Sequence, residues 1–152
     1  MQCSPKVSLL LLSCSLLLAA CGGRNEAPQG GTGPAAGAAG YDLEALLASA
    51  DPKRGETLFL QCRACHSVGE GEPHKVGPNL HGVFGRRAGT QPGFAYSEAL
   101  KESGVTWTPE TLDRWLERPS EFIPGNKMVF IGIRDPADRA ALIAWLRDAT
   151  GA

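Results

Sequence analysis

Cys62-Arg63-Ala64-Cys65-His66 is the stretch of this sequence that decides how the chain folds. Its two thiols are three positions apart, and an imidazole follows the second thiol directly. Thiols at this spacing can add to the two vinyl groups of one porphyrin, and the histidine is then placed to bind the iron from the same side. The pattern therefore predicts one covalently attached c-type haem, bound by Cys62, Cys65 and His66.

A thioredoxin-like redox pair and a zinc site are the alternatives for the same residues. A C-x-x-C pair occurs in thioredoxin-like proteins, and His74 and His81 are close enough in sequence to suggest zinc. Neither alternative fits well, because no strand pattern surrounds the motif and no second C-x-x-C or H-x3–5-H follows it. We therefore expect haem.

Met128 is the candidate for the second axial ligand of the iron. The chain has two methionines, and Met1 begins a segment that we expect to be removed. Met128 follows the turn-forming pair Pro124-Gly125, which predicts a defined loop. A His66/Met128 pair would favour ferrous iron and indicates an electron carrier rather than an oxygen binder. The alternative is an ordinary core methionine.

The N-terminal end has the pattern of an export signal. Lys6 precedes an apolar run at 7–20 that is shorter than a membrane span, which predicts a signal peptide at 1–20. The sequence LAACG at 18–22 resembles a bacterial lipobox, so we expect lipidation of Cys21 and a location on the periplasmic face of a bacterial membrane. The alternatives are an uncleaved signal that acts as an anchor, or secretion with Cys21 free.

Composition divides the rest of the chain into three parts. Residues 21–40 carry Cys21 and a Gly/Ala/Pro-rich segment that predicts a flexible linker. Residues 41–50 have leucines at helical spacing, which predicts a short helical lead-in that lies on the domain; the alternative is a surface that touches lipid. Residues 51–152 form one domain with 13 Lys plus Arg and 13 Asp plus Glu. This neutral balance argues against nucleic-acid binding.

The domain is predicted to be all-α. Asp51-Pro52 and Asp135-Pro136 are typical helix starts, because Asp caps free N–H groups and Pro suits the first helical position. Residues 67–96 hold seven glycines and three prolines, which predicts a long irregular loop. The expected helices run from Pro52 into Cys62, over 97–103, from Thr108 to a stop at Pro119, and over 137–149.

From about residue 51 to residue 150, the chain resembles mitochondrial-type class I cytochromes c, here in a bacterial, membrane-anchored lipoprotein form. The resemblance is carried by the CRACH motif, by GPNLHGVFGR at 77–86, by PGFAY at 92–96, by Trp107 and by PGNKM at 124–128. It implies the small cytochrome c fold, in which the N- and C-terminal helices cross while short helices and long loops surround one haem.

The resemblance also implies roles for single residues. The Pro78 carbonyl would accept a hydrogen bond from His66 and so orient the imidazole. Phe130 would cover the exposed haem edge beside Met128. The inner haem propionate would be lined by Arg86, Tyr96 and Trp107. The sequence alone leaves open that Trp107 is an ordinary core residue and that Arg86 belongs to a solvated pair with Arg87.

Three positions depart from the usual pattern of the family. Trp115 stands where a tyrosine is usual, Leu100 where an asparagine is usual, and Asn126 where a threonine is usual. We therefore expect the hydrogen bonding on the Met128 side to differ from that of the mitochondrial proteins.

These observations predict a non-enzymatic one-electron carrier that is monomeric and tethered to the membrane. It would pass electrons from a quinol:cytochrome c reductase to a haem-copper oxidase or a similar terminal acceptor. The alternative is a haem peroxidase or a gas-binding sensor in which Met128 is a labile ligand.

Overall fold

The computed structural model describes residues 40–151, which form an all-helical fold. The predicted signal peptide, Cys21 and residues 22–39 of the predicted linker lie outside the described residues. Within residues 40–151 the one paired β-type contact is an isolated antiparallel bridge between Arg87 and Thr106, and no helix has the length and apolarity of a membrane span. The helices are α1 (Leu43–Ala48), α2 (Pro52–Arg63), α3 (Glu98–Glu102), α4 (Pro109–Glu117), α5 (Pro119–Phe122) and α6 (Pro136–Ala149).

Five of these helices begin behind a polar side chain that accepts a hydrogen bond from an N–H group of the first turn. This bond satisfies one of the donors that a helix leaves free at its start. In α2, α4 and α6 a proline also occupies the first turn, where its missing N–H costs nothing. The capping residues are Asp42, Asp51, Ser97, Thr108 and Asp135.

The helices α2 and α6 pack directly against each other, as the resemblance implied. Gly55 allows this, because a Cβ at that position would lie 2.1 Å from the Ala141 carbonyl oxygen and 2.7 Å from Trp145 Cβ. The Phe59 and Trp145 rings pack with their centroids 4.6 Å apart. Backbone contact at one point and aromatic packing at the next determine how the two helices meet.

An apolar core fills the space between α2, α4, α6 and the loops. Leu142 and Ile143 of α6 are completely buried. Helices α1 and α4 also contact α6, which makes α6 the central element of the fold. The core comprises Phe59, Val83, Ala88, Val105, Trp107, Leu112, Trp115, Leu116, Ile123, Ile133, Leu142, Ile143 and Leu146.

Residues 64–96 contain no helix, and hydrogen bonds hold this long loop in place. The His74 ring links two parts of it, because Nδ1 accepts from the Asn79 N–H at 3.0 Å and Nε2 is 2.8 Å from the Pro92 carbonyl oxygen. Further along, the Ala88 N–H donates to the Val105 carbonyl at 2.8 Å. The loop is therefore fixed to itself and to the segment that precedes α4.

A buried ion pair joins α4 to α6. Arg139 Nε donates to Asp113 Oδ1 at 2.7 Å, and the two side chains are 1% and 5% exposed. Tyr41 connects the start of the domain to this pair, since its hydroxyl donates to Asp113 Oδ2 and accepts from Arg139 Nη2. Arg139 also donates to the carbonyls of Ile133 and Arg134. Such buried charges are tolerated because every one of these groups has a partner.

Candidate haem-binding site

The two cysteines and the histidine of the motif lie at the C-terminal end of α2. The N–H groups of Cys65 and His66 both donate to the Cys62 carbonyl at 2.9 Å, which folds the chain into a tight turn directly after the helix. Both cysteine side chains are partly buried. Burial, with a smaller effect from Cys65, raises the pKa of Cys62 to about 11. The first thiol therefore stands in an apolar environment, as a porphyrin edge requires.

The His66 imidazole is oriented by the loop that follows it. Its Nδ1 lies 2.8 Å from the Pro78 carbonyl oxygen, which can only accept, so Nδ1 carries the proton and Nε2 keeps a free lone pair. Burial lowers the pKa of His66, the Lys75 charge lowers it further, and the hydrogen bond to Pro78 opposes both effects. At neutral pH the ring is therefore a neutral imidazole that can bind a metal through Nε2.

Gly77 lies directly against the flat face of this ring. A Cβ there would be 2.3 Å from His66 Cε1 and 2.8 Å from Nε2. The Gly77 N–H donates to the Cys65 carbonyl at 2.8 Å, which holds the loop against the motif. Glycine is therefore required by the close approach of backbone and imidazole.

Lys75 caps the exposed side of the same turn. Its ammonium group donates to the Arg63 carbonyl at 2.8 Å and to the His66 carbonyl at 3.1 Å. A cation is favourable here, because helix carbonyls without partners accumulate at a C-terminus. The structure thus places one positive charge directly beside the motif.

Arg86 and Tyr96, two of the residues predicted to line a haem propionate, lie close together. Arg86 Nη1 donates to the His81 carbonyl at 2.8 Å and to Gln91 Oε1. Burial lowers the pKa of Arg86, and the neighbouring Tyr96 opposes this. Burial raises the pKa of Tyr96, while the Arg86 charge and a hydrogen bond with the Gln91 backbone lower it. Within residues 40–151 no carboxylate pairs with Arg86, so this half-buried guanidinium suits a propionate.

Trp107, the third of these residues, belongs to the apolar core. Its backbone is tied to the Arg86 region, since its N–H donates to the Arg86 carbonyl at 3.0 Å and its carbonyl accepts from Gly85 at 2.8 Å. Its ring packs against Trp115 with the centroids 5.4 Å apart. The structure thus links Trp107 to Arg86 through the backbone while its indole fills the core.

Met128 and Phe130 are half-buried and pack against the same core as Cys62. The residues that alternate with them, Val129 and Ile131, are 102% and 89% exposed. The segment therefore presents one face to the protein and the other to solvent. This arrangement points the thioether of Met128 and the ring of Phe130 toward the domain.

The assembled residues fit a c-type haem. They supply two partly buried thiols at the vinyl spacing, a neutral imidazole with a free Nε2, and one thioether from another segment. A half-buried arginine would pair with a propionate. Partly buried apolar side chains that pack against the core could cover porphyrin faces, and they include Leu80, Phe84, Leu100 and Phe130.

Two asparagines have structural roles in this site that the sequence does not reveal, although it singles out Asn126 as a departure from the family pattern. Asn79 donates through Nδ2 to the carbonyls of Gly69 and Glu72, both at 2.8 Å, and accepts from the His81 N–H at 2.7 Å. Asn126 forms the same set of three bonds on the Met128 side. The sequence feature that could have indicated these roles is closeness to the predicted site residues, since Asn79 follows Pro78 directly and Asn126 precedes Met128 by two residues.

Comparison with known proteins shows what this chain is similar to. The family model described as Cytochrome c matches residues 52–150. The chain is 50% identical over 99 residues to cytochrome c2 of Rhodomicrobium vannielii, and the match covers 65% of this chain and 79% of that protein. It is 52% identical over 101 residues to cytochrome c of Chlamydomonas reinhardtii, and the match covers 66% of this chain and 90% of that protein. It is 48% identical over 103 residues to cytochrome c2 of Blastochloris viridis, and the match covers 68% of this chain and 81% of that protein.

Proposed function

Because the chain belongs to the cytochrome c family, whose members are electron carriers with a covalently bound c-type haem, we propose that it carries single electrons between membrane redox complexes. In this proposal Cys62 and Cys65 would hold the haem covalently, and His66 and Met128 would bind its iron. The observation that carries it is the His66–Pro78 hydrogen bond, which leaves Nε2 of a neutral imidazole free beside two thiols.

The remaining site residues have supporting parts in this proposal. Arg86 and Tyr96 would donate to a propionate, with Trp107 beside them, and Phe130 would shield the haem edge next to Met128. When bound, the haem iron supplies the one-electron chemistry between Fe(III) and Fe(II). The apolar residues around it exclude water, which limits the reorganisation that accompanies a change of charge.

We further propose that Cys21 carries a lipid and that the domain works on the periplasmic face of a bacterial membrane. The lipobox-like sequence at 18–22 supports this proposal. The donor would be a quinol:cytochrome c reductase, and the acceptor a haem-copper oxidase or another terminal acceptor. A tether raises the local concentration of the carrier near such complexes, which compensates for the weak electrostatic attraction of a domain without a strongly basic face.

The lipid anchor is tested by cell fractionation. The Cys21→Ser variant should no longer be found in the membrane fraction; an unchanged distribution would contradict the lipid anchor.

The axial ligands are tested by the absorption spectrum of the purified protein from a host that matures c-type cytochromes. Ferric wild-type protein should be six-coordinate and low-spin, with a sulfur-to-iron charge-transfer band. In Met128→Ala this band should disappear, while Ile131→Ala, an exposed neighbour in the same segment, should keep it. A colourless protein, or a Met128→Ala spectrum identical to wild type, would refute the proposal. A high-spin wild-type haem that readily binds carbon monoxide would favour the peroxidase or sensor alternative.

A further inference from the structure

Asn126 ties the start of the Met128 segment to α5 and the turn that follows it. Its Nδ2 donates to the Pro119 carbonyl and to the Ile123 carbonyl, both at 2.8 Å. Its Oδ1 accepts from the Met128 N–H at 2.9 Å. The orientation of the amide follows from its partners, because two carbonyls can only accept and an N–H can only donate. One half-buried side chain thus connects three backbone positions.

The segment that Asn126 holds has few other hydrogen bonds to fix it. Among residues 40–151, the backbone of residues 127–132 makes no hydrogen bond except the one from the Met128 N–H to Asn126. The next fixed point is Ile133, whose N–H donates to the Leu116 carbonyl at 2.8 Å. Between these two anchors the segment is positioned by packing alone. The Gly132 backbone lies against the Glu117 carbonyl, where a Cβ would be 1.9 Å from the oxygen, and the outward residues Val129 and Ile131 are almost fully exposed. Asn126 is therefore the polar anchor nearest to Met128.

A threonine, which the resemblance leads us to expect at this position, cannot form these bonds together. Its hydroxyl has a single hydrogen and can donate to one carbonyl, whereas the amide donates to two and still accepts from the Met128 N–H. An aspartate has the shape of asparagine and can accept, but it has nothing to donate to the two carbonyls. These differences make the three donor and acceptor functions separable by mutation.

We propose that Asn126 is a positioning residue that keeps the Met128 thioether at the iron and so prevents other ligands from taking its place. This inference rests on the proposed function, in which Met128 is an axial ligand. Asn79 makes the matching set of bonds beside Pro78 on the His66 side. The two loops that carry or orient the axial ligands are thus each held by one three-bonded asparagine.

The test measures how easily Met128 gives way to an added ligand. Imidazole can bind the ferric protein only when Met128 has left, so its apparent affinity reports the fraction of protein in which the segment has opened. Loss of the two donated bonds in Asn126→Asp, or of all three in Asn126→Ala, should raise that affinity about tenfold. Asn126→Thr should lie between these variants and the wild type. Titrations at one pH, followed by the sulfur-to-iron band, give all four values.

Tyr41→Phe serves as the control for general loss of stability, because it weakens the domain through the Asp113–Arg139 pair. It should lower the stability to urea and leave the imidazole affinity unchanged. An equal rise in affinity in Tyr41→Phe would show that the effect follows overall stability, and would overturn the positioning role. Wild-type affinity in both Asn126→Asp and Asn126→Ala would also overturn it.

Failure of the proposed function would look different. In that case the wild-type protein itself would lack the sulfur-to-iron band, before any Asn126 variant is compared. If Asn126→Ala does not fold or does not incorporate haem, Asn126→Asp and Asn126→Thr still separate donation from acceptance.

Discussion

Gly77 and Pro78 show how single residues shape the His66 side of the site. The Pro78 carbonyl accepts a hydrogen bond from the imidazole N–H, and Gly77 lets the backbone lie against the ring. These two contacts fix both the tautomer and the position of the imidazole. Any side chain at position 77 would have to displace the ring or the loop.

Gly77→Ala should therefore weaken this side of the site. Its Cβ would lie 2.3 Å from His66 Cε1, so the ring must shift away from its position against the loop. Overpacking of this kind typically costs about 1–3 kcal/mol of unfolding free energy. Urea unfolding of the haem protein measures the loss, and the visible spectrum shows whether His66 still binds. Gly40→Ala is the control, because a Cβ there meets no atom within 4 Å; equal stabilities of the two variants would contradict the prediction.

At the residue scale, the sequence predicted the residues of the haem motif better than the hydrogen bonds that hold the loops around them. The motif and Pro78 follow from local spacing and from the resemblance, and the His66–Pro78 bond is present in the structure. The three bonds of Asn126 could not be predicted, because they depend on how α5 brings the carbonyls of Pro119 and Ile123 to the same amide. The burial of Arg139 was also missed, since charged side chains are rarely buried and its partner Asp113 is 26 positions away.

At the scale of the helices, the contact between α2 and α6 depends on one small residue, Gly55. Gly55 is buried within α2, a position where glycine lowers helix propensity. It is tolerated because the Ala141 carbonyl and Trp145 Cβ occupy the space that a side chain would need. The aromatic pair of Phe59 and Trp145 lies one turn further along.

Gly55→Ala should separate the two helices despite the better helix propensity of alanine. The new methyl would meet the Ala141 carbonyl oxygen at 2.1 Å, and neither backbone can yield without loss of packing. We expect a loss of roughly 2 kcal/mol or more in unfolding free energy. Thermal and urea unfolding measure it. Thr57→Ala, at an exposed position of the same helix, should change stability by less than about 0.5 kcal/mol; a stabilised Gly55→Ala would refute the close-contact argument.

Helix starts were predictable because they depend on local chemistry. Asp51 and Asp135 cap their helices as expected, and the helices expected from residues 97 and 108 begin there, capped by Ser97 and Thr108. The predicted all-α class is confirmed. The short helix α5 was not predicted. Pro119 was interpreted as a stop, and α4 does end before it, but proline also suits the first turn of a new helix.

At the scale of the whole molecule, one network joins the beginning of the domain to its centre. The Tyr41 hydroxyl lies between Asp113 of α4 and Arg139 of α6. Burial and the hydrogen bond to Asp113 raise the pKa of Tyr41. Burial alone would lower the pKa of Arg139, but its hydrogen bonds with Asp113 and Tyr41 outweigh this and raise it. The tyrosine stays neutral and the arginine stays charged throughout the physiological range.

Tyr41→Phe should destabilise the whole domain. It removes a hydroxyl that serves both members of a buried ion pair, which leaves one oxygen of Asp113 and one nitrogen of Arg139 without that partner. Hydrogen bonds to charged groups contribute about 1.5–3 kcal/mol, so we expect a loss in that range by urea unfolding. Ser49→Ala, which removes an exposed hydroxyl bonded only within its own turn, should have little effect. Equal stabilities of Tyr41→Phe and wild type would show that the network does not depend on this hydroxyl.

The overall arrangement was predictable from the resemblance. The leucine spacing at 43–47 predicts a short helix that lies on the domain, with a surface that touches lipid as the alternative. In the structure α1 contacts α6, and Leu47 packs against the core. The hydrogen bonds of Tyr41 could not be predicted, because they join residue 41 to residues 72 and 98 positions away.

The attachment of Tyr41 has a mechanical consequence. A pull on Gly40 from the preceding chain meets Tyr41 first, whose phenol is bonded to a carboxylate and a guanidinium that are almost completely shielded from water. Because these two groups belong to α4 and α6, part of the load passes to the centre of the domain before the chain reaches α2 and its two thiols.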